Sequence, residues 1–273
     1  MRLRLLLVIL ALFVTAMLPA GAEAAANPKI GVLISQQTMD FGSFTADKKG
    51  IKINKVSLAA RQDVTFRLYM ERGYAPKDLS DADLRSPKAI GGLDVIVLPY
   101  TLVMDGKQAQ VLRDFVYSGG GLVAIYQAPR LNGNGDPWSS VMKGAWGPLT
   151  AVYQLGSFPD MAVPGYRVTA IGRHPILSRA RAALDRPLVL EAWSRQAVLE
   201  KTAPLTGAKT KRILSFTRGS PGAWAGRYGK GRYVYFGFPA MDFVWFRELR
   251  LRKNQGKVAE ELLVQSALWS AGR

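Results

Sequence analysis

Two runs of consecutive apolar residues dominate the chain. One lies within Asp94 to Leu98 and the other within Leu122 to Tyr126. Between them, Val111, Leu112, Phe115 and Val116 recur at three- and four-residue steps. Continuous apolar runs suit strands covered on both faces, as parallel strands are, and the 3.6-residue period suits a helix with one buried stripe. Asp105 stands where a helix N-cap would, with Gln108 three positions later in capping-box spacing. Gly119-Gly120-Gly121 lets the chain leave that helix through positive φ and enter the next strand directly. The pattern predicts a parallel strand, helix, strand unit.

Around this unit, Ile30 to Ile34 reads as a central parallel strand and Ser35 to Asn54 as a long loop without period. Val64, Leu68 and Tyr69 mark a helix that ends before Gly73, and Tyr74 to Leu79 would be the next strand. Ala128 to Gly165 is rich in Pro, Gly and Trp and predicts an excursion near the carboxyl ends of the strands. Further strands are expected at Tyr166 to Ala170, Leu188 to Leu190, Lys211 to Thr217, Gly222 to Arg227 and Arg232 to Phe238, the last two forming a hairpin around Gly229-Lys230-Gly231. A closing helix from about Gln255 to Trp269 presents Val258, Leu262, Leu263 and Ala267 to the core.

Arg2 and Arg4 precede an apolar run from Leu5 to Leu18, then Pro19 and a series of small residues. This has the form of a secretory signal, with cleavage expected after Ala24 and Ala26 as the second choice. The run is shorter than the ~20 residues of a spanning helix, so a retained anchor is the weaker alternative. Residues 1–24 are thus read as signal peptide and 25–273 as one domain, exported to the periplasm or the medium. No integral membrane segment is expected after cleavage.

The formal charge is +17, and removing Arg2, Arg4 and Glu23 leaves +16. The basic residues are dispersed, which favours solubility and attraction to polyanions. In an exported protein that means an anionic envelope polymer rather than nucleic acid. The chain has no cysteine, so neither a disulfide nor a lipidated cysteine is available, and the domain must rely on packing.

The run Leu68 to Tyr74, then Asp94 to Tyr100, then Leu112 to Tyr126 resembles the class I glutamine amidotransferase-like domains. The nearest branch is that of the trimerisation domain of bacterial β-galactosidases and of trehalose-utilisation-type proteins. His174-Pro175-Ile176-Leu177 and Arg227 to Gly237 are similar to later segments of the same branch. The resemblance implies an α/β fold, an open, mostly parallel, flavodoxin-like sheet with helices on both faces and a C-terminal β-hairpin. It also implies a catalytic cysteine at the tight turn after the strand ending at Tyr126, where Gln127 and Ala128 stand instead. The glycine-rich oxyanion turn of active members is here Pro99-Tyr100-Thr101, and the histidine motif has Ile176 where an acid is required. Glutaminase chemistry is therefore not expected.

His174, the single histidine, could fix the turn before Pro175 through a ring nitrogen, or act as a base. One histidine without cysteine excludes the usual zinc site, no calcium-loop pattern is present, and no cofactor is expected. Asp40, Asp136, Asp160 and Asp242 are the carboxylates available to a glycosidase, which needs two facing acids. Trp138, Trp146, Trp224, Tyr100 and Tyr126 could stack on sugar rings. Ligands of open α/β sheets bind beyond the carboxyl ends of the strands, which nominates Ser35, Tyr100, Gln127 and His174. The expectation is an exported, non-catalytic domain that binds a ligand or partner in the bacterial envelope, with a glycan or an anionic envelope polymer as the candidates. A homo-oligomer and a carboxylate-dependent glycan hydrolase, or an accessory domain of carbohydrate metabolism, stand as alternatives.

Overall fold

The computed structural model describes residues 27–40, 55–126, 129, 132, 149–153, 155–163, 166–192, 197–204, 207–217, 219–249 and 253–273. Its first half alternates strands and helices: β1 (Ile30–Leu33), α1 (Lys55–Glu71), β2 (Lys77–Leu79), α2 (Pro87–Ile90), β3 (Val95–Pro99), α3 (Gly106–Ser118) and β4 (Gly121–Ile125). Next come α4 (Thr150–Tyr153), β5 (Leu155–Val163), β6 (Tyr166–Ala170), α5 (Pro175–Leu184), β7 (Val189–Ala192) and β8 (Ala197–Pro204). β9 (Lys211–Phe216), β10 (Pro221–Tyr228), β11 (Gly231–Phe236), α6 (Ala240–Glu248) and α7 (Lys253–Ser270) complete the chain.

Nine strands form one sheet in the order β2-β1-β3-β4-β11-β10-β9-β6-β7. The pairs from β2 to β11 are parallel and those from β11 to β7 antiparallel. The sheet is thus an open α/β sheet of flavodoxin-like type, extended by antiparallel strands beyond the expected hairpin. β5 and β8 pair separately, a ribbon that the sequence pattern did not signal.

Alternation along the central strands sorts the core into two layers. Val95, Val97, Val123, Ile125, Val234 and Phe236 face α1, α5 and α7, joining Val64, Leu68, Ile176, Leu262 and Leu263. Ile96, Leu98, Leu122, Ala124, Tyr233 and Tyr235 face α3 and α4, joining Val111, Leu112, Val116 and Val152. The apolar stripe of α3 lies where its period placed it, with Phe115 only partly buried at its edge.

The capping box is present: Gln108 N–H donates to Asp105 Oδ1 at 2.8 Å, and Asp105 N–H donates to Gln108 Oε1 at 2.7 Å. Gly119, at φ 127°, ends the helix as expected. Gly121 is required for a different reason, since a Cβ there would stand 2.6 Å from the Ser270 backbone. The end of α7 therefore rests directly on the amino-terminal end of β4.

Candidate functional site at the carboxyl ends of the parallel strands

Two tyrosines mark the carboxyl ends of the two central parallel strands. Tyr100 follows β3 at φ 50° and Tyr126 follows β4 at φ 49°, both in the left-handed region. A side chain bearing Cβ pays about 1–2 kcal/mol for that conformation. Ladder bonds hold it: Tyr100 N–H donates to Ile125 O at 3.1 Å, and Tyr126 N–H donates to Phe236 O at 2.9 Å. The rings lie 5.6 Å apart, tilted by 47°. Strained residues at strand ends commonly belong to functional sites.

β4 thus ends one residue earlier than the apolar run suggests, with Tyr126 already in the left-handed region. Tyr126 continues the run in composition, but the strand stops at Ile125. Gln127 and Ala128 lie outside the described residues.

Arg61 of α1 completes the cluster. Its guanidinium carbon sits 5.3 Å from the Tyr100 ring centroid and 5.7 Å from that of Trp245 in α6. Asp242 clasps it through two bonds, Nε to Oδ1 at 2.5 Å and a terminal nitrogen to Oδ2 at 3.1 Å. Burial, the largest single effect, works against the guanidinium charge, but Asp242 together with Tyr100 and Tyr126 outweighs it and the pKa of Arg61 is raised. A planar cation gripped at its edge keeps its faces for aromatic rings, a role lysine cannot fill.

The other candidates are placed apart. Ser35 is fully buried, and its hydroxyl is committed to Asp81 at 2.8 Å and to Thr38 at 3.0 Å, while its N–H donates to Gln62 Oε1 at 3.1 Å. It ties the exit of β1 to the turn after β2 and presents nothing to a ligand. Next in the chain to Tyr100 and Arg61, Thr101 Oγ1 and Gln62 Nε2 are buried without a hydrogen bond, as is Gln37 Oε1, an unusual state for polar groups.

His174 is at the opposite end of the sheet. Its ring packs edge-on against Trp269 at 4.9 Å, Trp269 O accepts from Arg232, and Arg232 pairs in register with Gly121 at the start of β4. Five residue steps along β4, about 16 Å at ~3.3 Å each, separate that end from Tyr126. His174 instead caps α5, its Nδ1 accepting from Ile176 N–H at 3.4 Å. This is the turn-fixing role, and the strand-end placement given to His174 above is corrected by this geometry.

Of the carboxylates, Asp242 is engaged by Arg61 and Asp40 accepts from Gln36 Nε2 at 2.8 Å. Asp136 and the side chain of Asp160 lie outside the described residues, as do Trp138 and Trp146. Trp224 is a core residue, 6% exposed under α4. No group of three or more metal-ligating side chains occurs among the described residues. Likewise, no helix among them is long and apolar enough to cross a membrane.

Arg61 and Trp245 were not anticipated, and Asp242, named above among the candidate glycosidase acids, is instead the partner of Arg61. A signal for Arg61 existed, since it lies three and seven positions before Val64 and Leu68, inside the apolar stripe of α1.

No family model matches the sequence, and no curated protein matches it. Solved structures do. The chain is similar to a cold-adapted β-galactosidase from Rahnella sp. R3, with a TM-score of 0.58 at 17% identity over 83% of this chain and 32% of the other. A β-galactosidase from Bacillus circulans sp. alkalophilus gives a TM-score of 0.62 at 14% identity over 88% and 31%. The chain thus spans about a third of each of these enzymes. A ThuA-like protein from Bacteroides uniformis is matched nearly end to end, with a TM-score of 0.54 at 14% identity over 92% of this chain and 94% of that one. At these identities the likeness is one of fold.

Proposed function

We propose that this chain is an exported, non-catalytic amidotransferase-like domain that binds a carbohydrate in the bacterial envelope through the tyrosine cluster at the strand ends. One observation carries the proposal: β4 is followed by Tyr126, whose ring lies 5.6 Å from that of Tyr100, itself backed by Arg61. An aromatic pair with a clasped arginine has no nucleophile for acyl transfer; Tyr100 is half-buried and Tyr126 only 4% exposed, so Tyr100 is the ring a ligand would meet first. Sugars present the complementary surface of C–H faces and hydroxyls.

Supporting this are the carbohydrate-related proteins among the structural neighbours, two β-galactosidases matched over a third of their length. The chain has no cysteine and its one histidine lies about 16 Å from Tyr126, so ammonia release from glutamine should be undetectable. Screening the purified protein on a glycan array should give retention that Tyr126→Ala abolishes. Equal retention by both proteins, or none by either, overturns the assignment of the site. Export is tested separately: N-terminal sequencing of protein recovered from the envelope or medium should start at Ala25 or Asn27, and an intact Met1 on membrane-extracted protein rejects it.

A further inference from the structure

A cavity of about 380 Å³ opens at the amino end of β3, between α2, α3 and the glycine turn that leads into β4. Ile90, Leu93, Val111 and Phe115 give it an apolar wall, and Asp94 and Asp114 each bring a carboxylate to it. The volume suits a small molecule, and such sites combine apolar surface with a few placed polar groups. The turn itself seats the aromatic ring. A Cβ on Gly120 would stand 2.4 Å from Phe115 ring atoms, so glycine is what lets the ring lie against the backbone there. Phe115 remains half-buried and lines the cavity.

The two carboxylates are held by uncharged donors. Asp94 Oδ2 accepts from Lys29 N–H at 2.8 Å, and the two oxygens of Asp114 accept from Gln110 Nε2 at 2.7 and 2.8 Å. An amide orients a carboxylate without cancelling its charge. Other acids of the fold are neutralised instead: Asp105, Asp242, Glu260 and Glu261 each meet an arginine. Asp94 and Asp114 form no such pair among the described residues. α3 also ends at Ser118 on the rim of the cavity, and a helix C-terminus carries partial negative charge.

We infer that this cavity binds a small organic cation, its charge met by Asp94 and Asp114 and its apolar body lying against Phe115 and its aliphatic neighbours. Each wall selects for that chemistry. An anion is repelled by both acids, and an uncharged ligand leaves them without a partner. A bare metal ion makes no use of the apolar wall, and calcium takes six to eight oxygen ligands. A cation near an aromatic face gains a further attraction. The whole chain, at +17, repels cations in general. A cation that binds is therefore held by a local feature. The inference is independent of the carbohydrate site and survives its failure.

Choline is the probe, and its tert-butyl analogue, the same alcohol with carbon in place of nitrogen, is the uncharged control. In calorimetry at low ionic strength, where charges are least screened, choline should bind and the analogue should not. Asp114→Asn alters an exposed side chain, and Phe115→Leu keeps an apolar residue; each should weaken choline binding by roughly threefold or more. Asp63→Asn removes an exposed acid from α1 and should leave the affinity unchanged. In amide NMR spectra choline should shift the resonances of Gly119 and Gly120, which line the cavity, more than those of Tyr100 and Tyr126. This last readout needs no variant, so it holds even where a substitution disturbs folding. No heat with choline, equal binding of the uncharged analogue, a loss as large in Asp63→Asn, or shifts confined to the tyrosines overturns the site.

Discussion

At the scale of single residues, His174 and Glu260 give opposite pH signatures. His174 titrates near 4 in the fold, below its ordinary 6.5, because burial and Lys211 disfavour the imidazolium. The unfolded chain then binds more protons between those values, so stability is lost as pH falls from 6.5 towards 4, by roughly 3 kcal/mol at most. His174→Asn keeps an N-cap acceptor and removes the titration. Chemical denaturation at pH 7 and pH 4.5 should show the wild type losing more stability between the two, and equal losses contradict the burial of a neutral imidazole. Glu260, 2% exposed, has its pKa raised, chiefly by burial against the opposing effect of Arg247 and Arg72. Its folded form holds a proton above the unfolded value of 4.5, so its contribution falls as pH rises from there. Glu260→Gln should flatten that decline, and an unchanged slope places its origin elsewhere. Such residue-level facts were poorly legible in sequence. Tyr126 looks like the last residue of an apolar strand, and only its φ of 49° shows that it has turned into the left-handed region. His174 kept its turn-fixing role because the residues that decide it, Pro175 and Ile176, are its neighbours in the chain.

At the scale of elements, local signals were reliable and long-range ones were not. The capping box and stripe of α3 could be read because they repeat within a turn or two of helix. Leu112→Ala should cost about 2–5 kcal/mol, since Leu112 is fully buried against the sheet. Phe115→Ala should cost roughly half as much, because its ring is only partly buried. A cost below about 0.5 kcal/mol for Leu112→Ala in denaturant titration would misplace the helix face. By contrast, α6 shows little amphipathic pattern and went unnoticed. It is fixed by what it meets: Asp242 on Arg61, and Glu248 on Arg67 at 2.6 Å. Arg72 in turn reaches Glu261 of α7 at 2.9 Å, so α1 is tied to both C-terminal helices by ion pairs. Arg61→Ala leaves Asp242, 15% exposed, without its clasp and should cost about 2–3 kcal/mol. An Arg61→Ala, Asp242→Asn cycle should return a coupling of similar size, and additive effects would deny the pairing.

At the scale of the whole molecule, the two ends of the sheet differ in chemistry. The carboxyl end gathers Tyr100, Tyr126, Arg61 and Trp245 around one clasped ion pair, whereas the amino end gathers Lys209, Lys211, Arg227 and Arg232 around a neutral histidine. The order of strands and helices was legible from apolar runs and glycines, and so was the absence of a cysteine at the turn. Which end each candidate occupies was not, since β6, β7 and β9 join the sheet by antiparallel pairing that residue composition does not specify. The dispersed charge of +17 adds a background attraction to any polyanion, which salt suppresses once the Debye length falls below ~8 Å. Specific recognition at the tyrosines survives that screening. The decisive measurement is calorimetric titration of an array-selected oligosaccharide into the wild type, Tyr100→Ala and Tyr126→Ala at low and high salt. A tyrosine-built site predicts wild-type affinity nearly independent of salt and a loss of more than tenfold in each variant, about 1.4 kcal/mol or more. Affinity that collapses with salt and is the same in all three proteins would contradict it.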